Sequence, residues 1–505
     1  MINGYSFSIV DQICNSIAIE LSPKRIGIMA LEHELDLCTE NLHNAYSIGS
    51  INPAGVIDIV YSRIAAYHDK AVWITLVSRD DALEKARQLV QRYPNAADRP
   101  PLFGIPFSVK DSIDIANMPT TLACPSYAYT PTKTAPVVQR ILDAGGILIG
   151  KTNLDQFATG LNGTRSPYGI PRCVRDADYV SGGSSSGAVV SVAAGLVSFA
   201  VATDAAGSTR VPAAFNGMVG LKPTLGTIST VGLVPACKTA DCITILASTI
   251  QTTTAALDVM QEYDEDDVYA RVLQPPQPPW NVESSGSTVQ YALPPSDLLD
   301  SALSPEYADL FARFLSALRM TSFARETNCN YEPFAKANAM LYGSSIVSQR
   351  IVAFKDYLQS HGYDQLHPVV AEIFKASSGF DAVRAYEDIF ALAEYKRLAH
   401  KQFRGSSPSQ PETGDKIDFL IVPSTTVHPT VEEMLKDPLE LNKRLGTFTH
   451  FVNLLDLCAV SVPIRATWAS KIGKPMAFGV TLISLPGRDR ELLALGKRLM
   501  DLEIE

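Results

Sequence analysis

The sequence predicts an α/β protein, a sheet covered by helices on both faces, and three observations carry that expectation. Helical patterns and short apolar runs alternate from about residue 52 to about residue 260, the mark of strands with helices packed over them. Apolar residues make up 46% of the chain and charged residues only 19%, below the roughly 25% of an average soluble domain, so a large core is available. Strand-like runs then return at 417–422 and 476–483, after a mainly helical section at about 304–403. The two halves are therefore expected to feed one sheet.

The elements follow in order. Residues 1–45 have mixed helical patterning and are read as an N-terminal helical extension; residues 46–505 are read as one large domain. Asn52 and Pro53 have the chemistry of an N-cap and first helical residue, with Val56, Ile59, Val60 and Ile64 following at helical spacing. A strand is expected at 71–77, a helix at 80–91 and a Pro-bounded strand at 102–109. Thr134 caps a helix that stops at Gly145 and Gly146, and 147–149 is a short buried strand. The apolar run 187–203 is too short and too rich in Ala, Gly and Ser to read as a membrane span, so it is a buried helix turning into a buried strand. Past residue 263 an acidic and then Pro-rich stretch marks a surface crossing between the halves. A helix is expected at 488–502.

Lys and Arg number 43 against 53 Asp and Glu, a net charge of −10. That argues against nucleic acid or a membrane surface as partner, since phosphate binding needs a basic face, but leaves room for a small anion held by one or two local cations. Eight cysteines with no CxxC pair fit a reducing compartment, hence the cytoplasm, and no metal site is expected. The N-terminus has no basic segment followed by an apolar one, so no secretory signal is read.

Two motifs mislead. Residues 145–152, GGILIGKT, satisfy the P-loop pattern, but a P-loop needs pliant backbone between its glycines, and Gly-Ile-Leu-Ile favours a strand. Residues 183–187, GSSSG, satisfy the nucleophile-elbow pattern, but the run before them is polar where an apolar strand should lead in. Three segments remain. Lys110 ends an apolar strand in GIPFSVKD; taken alone, it is an ordinary surface lysine. SGGSSSG, with Ser184 at its centre, opens an apolar helix; taken alone, it is an N-cap cluster. TDAAGSTR, carrying Ser208, follows a buried strand; taken alone, it is a tight turn. Their ordered combination is much harder to reach by chance.

Together these segments resemble the Lys–Ser–Ser triad of the amidase signature family, and the resemblance runs from about residue 45 to the C-terminus. Within it the allophanate hydrolase branch is most similar, through GKTNLDQFATGLNGTRSPYG at 150–169, SGGSSSG at 181–187 and LGTFTHFVNLLDL at 445–457. The resemblance implies a large twisted mixed β-sheet with helices on both faces. It implies an amidohydrolase without cofactor or metal, acting as a homodimer on a small carboxylate-bearing amide, allophanate foremost, with release of ammonia. It implies Ser208 as nucleophile, Ser184 as proton relay after a cis peptide bond, and Lys110 as base. It further implies an oxyanion hole from the backbone N–H groups of Ala205, Ala206, Gly207 and Ser208.

The substrate carboxylate would fall to Tyr342 and Arg350, which have the branch's spacing in LYGSSIVSQR. Gly343 and Ser344 are expected to start a helix after Tyr342, so that both side chains face one pocket. Read without the resemblance, Arg350 is a solvent-facing helical residue and Tyr342 a core one. The branch's Gly-Pro-Trp between them is Ser-Ser-Ile here, which alters a pocket wall. The extra C-terminal domain of full-length allophanate hydrolases is expected to be absent. Two other readings stay open: a diverged amidase for another amide, and a catalytically silent scaffold of the same fold.

Overall fold

The computed structural model describes residues 35–274, 280, 288–404 and 416–504. Most of the expected N-terminal extension, residues 1–34, lies outside them, and within them a helix runs Thr39–Ser47.

Eleven strands form one sheet: β1 (Trp73–Leu76), β2 (Pro106–Lys110), β3 (Ile147–Thr152), β4 (Phe199–Asp204), β5 (Val219–Lys222), β6 (Cys242–Ala247), β7 (Val289–Ala292), β8 (Ala324–Glu326), β9 (Phe419–Pro423), β10 (Cys458–Ala469) and β11 (Pro475–Ser484). Their order is β1-β3-β2-β4-β6-β5-β10-β11-β9-β7-β8. The sheet is mixed: β2 runs parallel to both β3 and β4, β7 parallel to β8 and β9, and the other pairings are antiparallel. Strands from before and after the helical section thus share one ladder.

Helices cover both faces because side chains alternate along each strand. On β10, Val460 and Val462 face the helix Asp489–Met500, whose Gly496 lets it approach them closely. On the other face Ser461 and Thr481 bond to Ser424, and the helix Arg210–Asn216 packs Ala213 onto Gly220 and Ala214 onto Gly479. Each face has its own apolar cluster; Leu482 belongs to one and its neighbour Ile483 to the other.

The local signals act as expected at several ends. Asn52 Oδ1 accepts the Gly55 N–H at 2.9 Å, and Pro53 opens the helix Pro53–Ala66. The strand expected at 102–109 shortens to β2, since residues 101–104 form a turn. Thr134 does not cap its helix: Pro136–Asp143 starts after Ala135, and Thr134 Oγ1 instead accepts the Ala116 N–H at 3.1 Å. The run 145–152 is a turn leading into β3, with both Gly150 and Lys151 inside the strand. The run 187–203 is the helix Ser186–Ala193 followed by β4. No helix among the described residues is long and apolar enough to cross a membrane.

Candidate active site

The sheet order brings the three segments together. β2 and β4 are parallel neighbours, so Lys110, the last residue of β2, and the turn after β4 emerge side by side. The helix Ser186–Ala193 lies over β2, with Ser191 Oγ 2.9 Å from Ser108 Oγ. Its N-terminal approach carries Ser184 and Ser185 to the end of β2. The Gly183–Ser184 peptide bond is cis. Glycine is required at 183 because a Cβ there would overlap Asp155 Oδ2. Asp155 is itself held by the N–H groups of Gly163 (3.0 Å) and Arg165 (3.0 Å).

Lys110 is fully buried, and its Nζ lies 2.8 Å from Ser184 Oγ, 3.0 Å from Ser185 Oγ and 2.8 Å from Thr203 Oγ1. Burial lowers the pKa of this lysine from its ordinary 10.5 to about 7. The carboxylates of Asp155, Asp204 and Asp241 oppose that shift, and the Arg350 charge adds to it. An amine near its pKa can accept a proton as well as donate one. Ser208 is 4% exposed and joins this group through its backbone, its carbonyl accepting the Ser185 N–H at 3.3 Å.

The turn 205–208 is held by a buried ion pair. Asp204 accepts two bonds from Arg210, from Nε at 3.0 Å and Nη2 at 2.9 Å, with both side chains fully buried. Burial alone would raise the Asp204 carboxyl; the Arg210 charge and hydrogen bonds, with the Gly207 N–H, more than offset it and hold the carboxyl at about 2. Arg210 also donates to Thr449 O (3.1 Å) and Asn453 Oδ1 (3.0 Å), and Thr449 Oγ1 donates to Ala206 O at 2.6 Å. Gly207 has φ +122°, and a Cβ there would overlap Thr449 Oγ1, so the turn needs glycine.

The expected set of four oxyanion donors is corrected at one position. The Gly207 N–H donates to Asp204 Oδ1 at 2.7 Å and is not available. Among the described residues, the N–H groups of Ala205, Ala206 and Ser208 meet no protein acceptor.

Tyr342 and Arg350 are placed differently from the expectation. Tyr342 lies in the last turn of the helix Glu332–Gly343 rather than ahead of a new one. Ser344 then caps the short turn Ser345–Ser348, and Arg350 falls in the helix Gln349–Ala353. Arg350 does not face solvent: it is 3% exposed, and its Nη1 donates to Thr159 Oγ1 at 3.1 Å and Phe157 O at 3.5 Å. Among the described residues no carboxylate lies within ion-pairing distance of it. Tyr342 packs edge-on to His450 at 5.4 Å and joins the apolar cluster that takes in Ala205 and Ala206. It also lines a cavity of about 280 Å³ with Arg165, Val347, Ile373, Phe380 and Leu439. Lys110, Ser184 and Ser208 do not line that cavity.

Several residues of this site were not singled out from the sequence: Ser185, Thr203, Asp204, Arg210 and Thr159. Asp204 and Arg210 had a readable signal, an acid and a base flanking a run of small residues. Thr159 had none. The Ser185 hydroxyl, at the elbow-motif position, lies between Lys110 and Thr203 O (3.2 Å), with no histidine bonded to it. His428 is buried and stacked on Phe215 at 3.7 Å. No group of three His, Cys, Asp or Glu side chains among the described residues is arranged to hold a metal.

Comparison with known proteins agrees with this architecture. The solved structure of selenomethionine-substituted allophanate hydrolase from Kluyveromyces lactis superposes with a TM-score of 0.80 at 33% identity, covering 92% of this chain and 72% of that one. Urea amidolyase of Saccharomyces cerevisiae is 38% identical over 433 residues, 84% of this chain. The chain spans only 22% of that relative's length. Urea amidolyase of Lachancea kluyveri is 37% identical over 445 residues, 88% of this chain and 23% of that protein. The family model Amidase matches residues 56–493. The chain therefore belongs to the amidase family, the hydrolases of amide C–N bonds.

Proposed function

We propose that this chain hydrolyses a small carboxylate-bearing amide, allophanate foremost, with release of ammonia, through Ser208, Ser184 and Lys110. The observation that carries the reading is the buried Lys110, brought to about 7 and set 2.8 Å from Ser184 Oγ. A serine hydroxyl is a weak nucleophile near neutrality and needs a base to take its proton. Neutral Lys110 takes the Ser184 proton as Ser184 takes that of Ser208. Ser208 Oγ then bonds to the amide carbonyl carbon. The N–H groups of Ala205, Ala206 and Ser208 receive the developing oxyanion, each such donor contributing about 3–4 kcal/mol in other enzymes. When the C–N bond breaks, the proton returns from Lys110 through Ser184 to the leaving nitrogen. Water attacks the acyl-Ser208 ester by the same relay and releases the acid.

Arg350 supports the substrate class. It is a buried cation with only neutral oxygens bonded to it, and a guanidinium fork suits a planar carboxylate. The 33% identity to the yeast allophanate hydrolase structure supports allophanate. The expected setting is a cytoplasmic homodimer; the family resemblance supports the dimer, and the seven free cysteines among the described residues support a reducing compartment.

The test is the ratio of kcat/KM for allophanate to that for its neutral analogue, biuret. Arg350→Ala removes one side of a charged hydrogen bond, which costs about 2–5 kcal/mol, or roughly 30- to several-thousand-fold, on allophanate alone. Tyr342→Phe costs less, about 1–2 kcal/mol. A ratio unmoved by Arg350→Ala makes that residue structural and leaves the amidase reading without its carboxylate.

A further inference from the structure

Lys151, part of the run that imitates a P-loop, forms an ion pair with Asp111 at 2.9 Å, and both side chains are fully buried. Lys151 lies within β3, and Asp111 directly follows the last residue of β2, the catalytic lysine. Lys110 is opposite Thr152 in the β2–β3 register, and the Asp111 N–H donates to Thr152 O at 3.1 Å. Both charged groups also grip one loop. Lys151 Nζ donates to Pro119 O (2.9 Å) and Thr120 Oγ1 (2.7 Å). Asp111 Oδ2 accepts from the Thr121 N–H (2.9 Å) and from Thr121 Oγ1 (2.5 Å).

What the loop does next gives the pair a role. Leu122 and Ala123 have φ of +51° and +54°, a left-handed conformation that non-glycine residues hold only when their surroundings fix it. Leu122 O accepts the Phe157 N–H at 3.0 Å, and Ala123 O accepts Gln156 Nε2 at 3.1 Å. Phe157 is also left-handed, at φ +53°, and its carbonyl accepts Arg350 Nη1. An unbroken line of bonds therefore runs from the residue beside Lys110, through this loop, to the guanidinium of Arg350.

We propose that the Lys151–Asp111 pair is a positioning unit that fixes Arg350 relative to Lys110 and Ser184, and so sets selectivity for carboxylate-bearing amides. The proposal rests on Arg350 as the carboxylate partner. A buried ion pair adds little stability over apolar residues of the same volume, so a role in fixing geometry accounts better for its presence. Burial raises the Asp111 carboxyl and lowers the Lys151 amine; each partner opposes the other's shift, and Asp114 is a further carboxylate acting on Lys151.

The experiment reads the allophanate-to-biuret ratio of kcat/KM in Lys151→Met, in Thr121→Val and in Arg350→Ala. Lys151→Met leaves Asp111 unpaired, and the ratio is expected to fall at least tenfold. Thr121→Val is nearly isosteric and removes the hydroxyl contacts to Asp111 and to the Ala123 N–H (3.2 Å); a fall of about threefold is expected, and it carries the measurement if Lys151→Met does not fold. If the folded variants lose activity equally on both substrates, with Arg350→Ala still lowering the ratio, the pair is structural and the proposal is overturned. If Arg350→Ala does not move the ratio either, the carboxylate reading falls, and the selectivity role falls with it.

Discussion

Protonating Lys110 should switch the enzyme off over a narrow pH range near neutrality. The lysine must be neutral to accept a proton, and its burial moves the pKa from 10.5 to about 7. That difference corresponds to about 5 kcal/mol, at about 1.4 kcal/mol per pH unit. An unperturbed lysine would be neutral in about one molecule in a thousand at pH 7.4; at a pKa of about 7 the fraction is roughly 0.7. Activity should therefore be near its plateau at pH 8 and near half at pH 7. It should then fall about tenfold for each further unit of acidification. The assay is kcat/KM for ammonia release from a neutral amide between pH 5 and 9, so that ionisation of a substrate carboxylate cannot contribute. Lys110→Arg keeps a charge that does not titrate in this range and should be inactive throughout. A flat profile from pH 5.5 to 8, or a rate still rising about tenfold per unit up to pH 9, would refute the role of Lys110 as base.

Three further outcomes are expected. Ser208→Ala should abolish turnover and Ser185→Ala should only weaken it, since Ser185 bonds to Lys110 and Thr203 and lies outside the proton path; comparable losses by active-site titration and steady-state rates would count against Ser208 as nucleophile. Gly207→Ala should destabilise the turn and lower activity at least a hundredfold, because the new Cβ meets Thr449 Oγ1 at a φ of +122°; thermal unfolding and kcat, measured together, check it. Acid should destabilise the fold between pH 6.5 and 3. Burial lowers the imidazoles of His428 and His450 to about 3, so over that window the unfolded chain binds protons that the folded chain does not. Replacing His428 with Phe should flatten the denaturation midpoint against pH in that window, and an unchanged slope would show that His428 contributes nothing to it.

What was legible in the sequence was short-range. Lys110 at a strand end, the serine cluster opening a helix and the small residues after β4 could each be read within a few residues of chain. β10 was not legible despite its twelve residues, because Pro463 and Arg465 break its apolar pattern. The structure accommodates them with a register shift between Pro463 and Thr467. Arg350 read equally well as a solvent-facing residue, because its partners Thr159 and Phe157 lie far away along the chain and nothing local points to them. Nothing local marks Lys151 as fully buried, since its partner Asp111 directly follows the neighbouring strand β2. Ion pairs and stacks such as His428 on Phe215 come from how the sheet is threaded, and hydrophobic periodicity carries no record of them.

The threading has an evolutionary consequence. The proposed proton relay lies wholly between Lys110 and Ser208, at the end of β2, at the entry to the helix Ser186–Ala193 and in the turn after β4, whereas Tyr342 and Arg350 come from helices inserted between β8 and β9. The two regions meet at Thr159 and Phe157 and where Tyr342 packs in the cluster of Ala205 and Ala206, with none of the Lys110, Ser184 and Ser208 side chains in common. Mutations in the inserted helices that leave Tyr342 and Arg350 in place can thus change which amide is held with little effect on the groups that cleave it, since it is the Arg350 charge that acts on Lys110. A lineage of this architecture can explore new substrates one helix at a time while its reaction stays the same, and the Ser-Ser-Ile between Tyr342 and Arg350 lies within that insertion.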